Sequence, residues 1–159
     1  MIRKWEKTHG HDYENFAEYN VFQMNDTHPT IAVAELMRIL IDEKGLLWDQ
    51  AWDITQKTMA YTNHTLLPEA LETWPVRLME RLLPRPMEII YHINKIFLHD
   101  IAMRWPGDSE KQARMSLIDE SGDKAVRMAY LAIIGSFSVN GVAALHSKLL
   151  CEGLFRDFY

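Results

Sequence analysis

Apolar residues recur at helical spacing through most of the chain, and the stretches that interrupt them are short and polar. Val33, Leu36, Met37, Leu40 and Ile41 lie on one side of a 3.6-residue repeat and predict a helix that buries that stripe. Pro29 suits the first turn of this helix, where a missing N–H costs nothing, and Gly45 is its expected stop. Trp48, Ala51, Trp52, Thr55 and Met59 form the face of a second helix, which is expected to run directly into the polar residues after it. Pro75 opens a short helix bearing Met79, Leu82 and Leu83, which Pro84 and Pro86 break. Pro86 is then expected to start the longest helix, with Ile89, Ile90, Ile93, Phe97, Ile101 and Trp105 on its apolar side and Pro106-Gly107 at its end. A last helix after Asn140-Gly141 carries Val142, Leu145 and Leu149.

Strand signals are fewer. Val21-Phe22-Gln23-Met24 is a short apolar run headed by a β-former and predicts a lone buried strand. Ser116 to Asp119 and Lys124 to Met128 read as a hairpin around Ser121-Gly122-Asp123. Tyr130 to Ile134 is a buried apolar element, and residues 1 to 18 read as a weakly specified helix end and loop. The expected class is mainly α, set within an α/β parent. One strand and a hairpin make a poor sheet, so further partner strands are expected elsewhere in a longer chain. The aromatic-rich end, Phe155 to Tyr159, adds to the expectation of a fragment.

Composition narrows the function classes. With 159 residues, 48% of them hydrophobic and 25% charged, the chain can build one modest domain with a core. A net charge of −5 and the lack of any Lys/Arg run argue against nucleic acid as a partner. No apolar run is long enough to span a bilayer, and the start lacks the apolar core of a signal peptide. The solitary Cys151 cannot form an internal disulfide and agrees with a cytoplasmic setting.

Candidate chemistry sits in two polar clusters, Asn25-Asp26-Thr27-His28-Pro29 and Tyr61-Thr62-Asn63-His64-Thr65. The first falls in a strand-to-helix turn, and in α/β sheets that edge is where ligands bind. Amides, a carboxylate, imidazoles and hydroxyls in this mixture suit a ligand covered in hydroxyl groups, such as a sugar. Each residue also has a structural reading. Asp26 or Thr27 can cap the following helix, a contribution of about 1 kcal/mol. His28 and His64 can be satisfied core histidines, or they can hold a metal with Asp26 and make a hydrolase. Their spacing lacks the single helix face or clear third ligand that metal sites usually show. Glu69 and Glu72 read as a solvated face, Trp48, Trp52 and Trp74 as packing residues, and Cys151 has no nearby base.

Taken together with the segments that follow, the clusters carry a resemblance. Asn25-Asp26-Thr27-His28-Pro29 is followed by Glu35-Leu36-Met37-Arg38. Ala60 to Thr65 is followed by Leu67-Pro68-Glu69-Ala70-Leu71-Glu72 and Trp74-Pro75. Then come Leu82-Leu83-Pro84-Arg85, Ile89-Ile90-Tyr91, Ile93-Asn94, Val139-Asn140-Gly141-Val142-Ala143 and His146-Ser147. In this order and spacing, from about Thr8 to Tyr159, the sequence resembles the glycogen (α-glucan or maltodextrin) phosphorylases.

The resemblance implies a partial N-terminal Rossmann-like domain, residues 1–159, of a two-domain GT-B glycosyltransferase. Such enzymes remove terminal glucose from an α-1,4-glucan with inorganic phosphate and release glucose 1-phosphate. They use pyridoxal phosphate on a lysine of a C-terminal domain that lies outside this chain, act in the cytoplasm, and as intact parents form homodimers. No metal is implied. Residue by residue, the match places His64, with Thr65 beside it, on the 6-hydroxyl of the bound glucosyl unit. Asn140 and Val142 fall in a loop lining the same pocket, and Asp26, His28, Ala70 and Glu72 beside the anomeric carbon. The isolated piece is expected to be inactive and sticky. Thr73, Pro86 and Ser136-Phe137-Ser138 depart from the family pattern, and the glycogen site that vertebrate members carry on the helix matching Pro86 to Trp105 is not transferable. The competing expectation, from a different class, is a non-catalytic helical binding or dimerisation module.

Overall fold

Most of the helix faces read from periodicity are buried, and the exceptions lie at helix ends and in the last helix. The computed structural model describes residues 1–159. After α1 (Ile2–His9) and α2 (Phe16–Tyr19) comes β1 (Phe22–Asn25), then α3 (Ile31–Arg38), which continues as one π-helical turn to Glu43. Val33, Leu36, Met37 and Leu40 of this helix are buried, and Gly45 takes a left-handed φ of 74° just past its end. Helix α4 (Trp48–Thr58) buries Ala51, Ile54, Thr55 and Thr58, with Trp48 and Trp52 packed at the rim of the core. Pro75 stands at the N-cap of α5 (Val76–Leu82), which buries Val76 and Met79 but leaves Leu82 and Leu83 exposed. The longest helix, α6 (Pro84–Arg104), starts at Pro84, two residues earlier than expected, because both prolines fit its first turn. It buries Ile89, Ile90, Ile93 and Ile101, while Trp105 lies beyond its end and is exposed.

The expectation of a lone strand is corrected. Three strands within the chain form a parallel sheet in the order β1-β2-β6, with β2 at Met59–Asn63 and β6 at Ser138–Gly141. Met24 faces Tyr61, and Tyr61 faces Val139, across this sheet. Strand β2 escaped the periodicity reading because it is central and covered on both faces, so its burial does not alternate. Its first residue, Met59, also continues the apolar stripe of α4. β1 is an edge strand, and of the expected buried run only Met24 is buried; Val21, Phe22 and Gln23 are exposed.

The hairpin stands as expected. β4 (Ile118–Asp119) pairs antiparallel with β5 (Ala125–Arg127), and Asp119 Oδ1 accepts from the Ser121 N–H and hydroxyl in the turn. A third strand, β3 (Thr73–Pro75), adds to β5 and makes a second small sheet. The architecture is thus mixed α/β: helices make up most of the chain, as expected, and two small sheets are built within it and not supplied only from elsewhere. Helix α7 (Ser109–Met115) precedes this hairpin, and α8 (Met128–Ile134) forms the apolar element around Tyr130.

The core gathers Met24, Met59 and Tyr61 from the sheet with the buried faces of α3, α4, α6 and α8. Trp5, Tyr13 and Phe16 join it, so the N-terminal stretch is specified by three aromatic anchors and not by its polar majority. Each such side chain contributes roughly 1.5–3 kcal/mol by leaving water. The last helix, α9 (Ala144–Leu149), corrects another expectation: none of its residues is buried, and Val142, Leu145 and Leu149 are exposed. Beyond it Phe155 is buried against Ala129 and Leu150, whereas Tyr159 is exposed. No helix is long and apolar enough to cross a membrane.

Candidate functional site

Parallel pairing decides where the polar residues meet. Since β1, β2 and β6 run the same way, their carboxyl ends Asn25, Asn63 and Gly141 lie along one edge of the sheet. The two polar clusters and the Asn140-Gly141-Val142 segment are therefore neighbours, although up to 117 positions separate Asn25 from Val142 in sequence. Thr62 ties the row together: its carbonyl accepts from the Asp26 N–H at 2.9 Å, and its hydroxyl donates to Asn140 Oδ1 at 2.9 Å.

Asp26 leaves β1 with a φ of 63°, the one non-glycine residue with positive φ in the chain. Aspartate tolerates this region better than most residues because its short side chain bonds locally, here through Oδ1 to the Thr27 N–H at 2.9 Å. The capping reading is corrected by this geometry. Helix α3 begins after Thr30 with no side-chain cap, Asp26 serves its own turn, and Thr27 reaches away from the helix. The Thr27 hydroxyl donates to Glu72 Oε2 at 2.7 Å, and Trp74 Nε1 donates to Glu72 Oε1 at 2.9 Å. His28 Nδ1 lies 3.8 Å from the same Glu72 carboxylate. The second sheet holds Glu72 there, since the Glu72 carbonyl accepts from Met128 N.

On the other side of the edge, His64 is exposed, with Nε2 3.2 Å from Asn25 Oδ1. The Thr65 N–H donates to Asn63 Oδ1. Beneath them Tyr61 is fully buried, and burial pushes its phenol up to about 12, with the Asp26 charge adding in the same direction and the hydrogen bond from Asn63 opposing. Ala70 sits in the exposed turn Pro68–Ala70, and Val142 is exposed just past β6. A cavity of about 330 Å³ adjoins Glu72, lined also by Pro68, Thr73, Arg127 and Tyr130.

So the structure brings Thr27 and His28 to Glu72, keeps Asp26 in the turn just before them, and lays His64, Thr65 and Asn140 along the same edge. It gives Ala70 and Val142 positions beside them but no polar tie. Asp26, His28 and His64 do not converge as a group able to hold a metal ion, so the geometry lends the hydrolase reading no support. Sequence reasoning placed Thr27 and Asn63 in the polar clusters and His146 in the resemblance without giving any of them a contact at the site, and took Trp74 for a packing residue. Asn63 alone carried a local signal, as an asparagine two positions before an amide it can bond.

These features define a mixed α/β protein with its hydroxyl- and carboxylate-bearing side chains collected at the carboxyl edge of a parallel sheet. Residues 1–159 match the family model described as carbohydrate phosphorylase. The chain is 58% identical over 146 residues to a glycogen phosphorylase of Synechocystis sp., covering 92% of this chain and 17% of that protein. It is 55% identical over 148 residues to the muscle form of glycogen phosphorylase from Mus musculus, covering 93% and 18%. It is 54% identical over 159 residues to glycogen phosphorylase 2 of Dictyostelium discoideum, covering 100% and 16%. The chain belongs to the carbohydrate phosphorylase family, and it spans only 16 to 18% of the length of these relatives.

Proposed function

We propose that this chain forms the sugar-facing wall of an α-1,4-glucan phosphorylase, as part of its N-terminal Rossmann-like domain, and does not turn over glucan alone. The observation that supports this most is the row Asp26, His28, His64, Asn140 and Glu72 at one sheet edge of a chain in this family. In the proposed reaction a glucosyl unit passes from the glucan to inorganic phosphate. The anomeric C–O bond to the glucan breaks, a C–O bond to phosphate forms, and the proton that the inorganic phosphate gives up goes to the departing glucan oxygen, which leaves as a hydroxyl. His64, exposed beside Asn25, hydrogen-bonds the 6-hydroxyl of the glucosyl unit, with Thr65, Asn140 and Val142 around it. Asp26 and Glu72 place negative charge near the anomeric carbon, where positive charge develops as the bond breaks. His28 and Ala70 complete that wall.

Pyridoxal phosphate, the family's cofactor, does not fit the lysines present here. A Schiff-base lysine needs a free, desolvated amine. Lys44 is held by Glu6 at 2.7 Å, Lys57 by Asp53 at 2.7 Å, and Lys111 by Asp157 at 3.4 Å and the face of Trp105; Lys124 and Lys148 pair with Glu120 and Glu152, and Lys4, Lys7 and Lys95 are exposed to solvent, so none is both free and desolvated. The cofactor, the phosphate site and the homodimer contacts of the cytoplasmic parent enzyme therefore belong to other parts of it in this reading.

The test is steady-state kinetics, with glucan and phosphate, of a full-length phosphorylase carrying this stretch. His64→Ala removes a sugar hydrogen bond, a loss of about 1–3 kcal/mol, or roughly tenfold to hundredfold in kcat/KM. Asp26→Asn and Glu72→Gln lower kcat more than they raise KM. Near-wild-type kinetics in all three variants, with unchanged thermal melting, overturns the assignment.

A further inference from the structure

One buried polar group at the sheet edge has more hydrogen bonds than its local turn requires. Asn63, fully buried at the end of β2, donates through Nδ2 to the Tyr61 hydroxyl at 2.9 Å. Its Oδ1 accepts from the Thr65 N–H at 2.9 Å and lies 3.1 Å from His146 Nε2. The Thr65 N–H can only donate, so the amide oxygen must face it, and that fixes the orientation of the Asn63 amide. An amide oxygen only accepts, so the His146 Nε2 that faces it carries the hydrogen. The turn closed by Asn63 Oδ1 and Thr65 N spans His64.

His146 comes from α9, an otherwise exposed helix, and two further features fix it in place. A β-carbon on Gly141 would collide with His146 Cδ2, so the last residue of β6 leaves room for the imidazole where it stands only because it is glycine. The Gly141 N–H also donates to the Ser147 hydroxyl at 2.9 Å, holding the start of α9 against β6. A surface helix thus sends one side chain inward, through the one gap in β6, to an amide that closes the turn around His64.

We infer that His146 and Asn63 are positioning residues for His64: His146 Nε2–H locks the Asn63 amide, and the amide holds the 63–65 turn so that the His64 ring stays beside Asn25. The inference rests on the proposed sugar site only for its purpose. The positioning itself is a property of this chain.

The experiment uses the 159-residue chain and nitrogen-15 NMR of its histidine rings. In the wild type, His146 shows hydrogen on Nε2, and the His64 ring shows through-space contact with Asn25. His146→Ala and Asn63→Ala each lose the His64–Asn25 contact, and the double variant loses no more than either alone. His146→Gln, which keeps a side-chain N–H donor, restores it. Hydrogen on Nδ1 alone of His146 in the wild type overturns the inference. So does a His64–Asn25 contact that survives in folded His146→Ala. Should His146→Ala fail to fold, the wild-type ring pattern and the His146→Gln spectrum decide. The kinetics of His64→Ala in the full-length phosphorylase read the sugar site separately: near-wild-type kcat/KM there counts against the proposed function and leaves the positioning claim standing.

Discussion

Replacing Tyr61 by phenylalanine tests the buried polar strut under the sheet edge. Tyr61 and Asn63 are both fully buried, and the tyrosine hydroxyl is the acceptor for Asn63 Nδ2. Removing it leaves a buried N–H without a partner, which costs about 1–3 kcal/mol near neutral pH. A second effect has the opposite sign at high pH. Burial raises the folded-state phenol from 10.0 to about 12, so above pH 10 the unfolded chain gives up a proton that the folded chain keeps. The unfolded state then binds fewer protons, and wild-type stability from this group, complete below pH 10, is lost as pH rises toward 12. At pH 11 the loss is about 1.4 kcal/mol, one unit of the difference. Tyr61→Phe has no such group, so its deficit relative to wild type shrinks by that amount between pH 8 and pH 11. Other tyrosines titrate in both proteins and cancel in the comparison. Urea unfolding followed by tryptophan fluorescence at several pH values reads both effects. Equal stability at pH 8, or a deficit that stays constant to pH 11, refutes the reasoning.

Three further outcomes follow from the same structure. Thr55 is fully buried in α4 with no partner for its hydroxyl, so Thr55→Val raises stability by about 1 kcal/mol in the same unfolding assay. Asp157 is held well below the usual carboxylate range first by Arg114 and then by Lys111; its contribution is present above pH 4 and lost as pH falls through its folded value. Asp157→Asn therefore lowers stability at pH 7 by about 1 kcal/mol and flattens the acid limb of an unfolding-versus-pH curve. Asp26→Ala keeps the β-carbon in a left-handed turn but loses the side chain that bonds there and costs about 1 kcal/mol, whereas Asp26→Asn costs less because asparagine keeps such a bond; urea midpoints of the two variants distinguish them.

What the sequence determined by itself was the set of helix faces. Val33, Leu36, Met37 and Leu40, or Ile89, Ile90 and Ile93, recur with the period of a helix that packs on one side, and the prolines mark where helices start. The hairpin was legible for a similar reason, because its turn residues bond to their own backbone. The two polar clusters were legible as candidates because polar runs inside apolar sequence need an edge to occupy. The parallel sheet was decided by tertiary structure. A central strand such as Met59–Asn63 is covered on both faces and shows no alternation, and β6 reads as a turn because only Val139 is apolar. The contacts that shape the site share this character. Thr27 meets Glu72 across 45 positions and Asn63 meets His146 across 83, and no local pattern encodes either pair. Periodicity reports which side of an element avoids water. Which elements come to share an edge depends on how those sides pack together, and only the folded chain settles that.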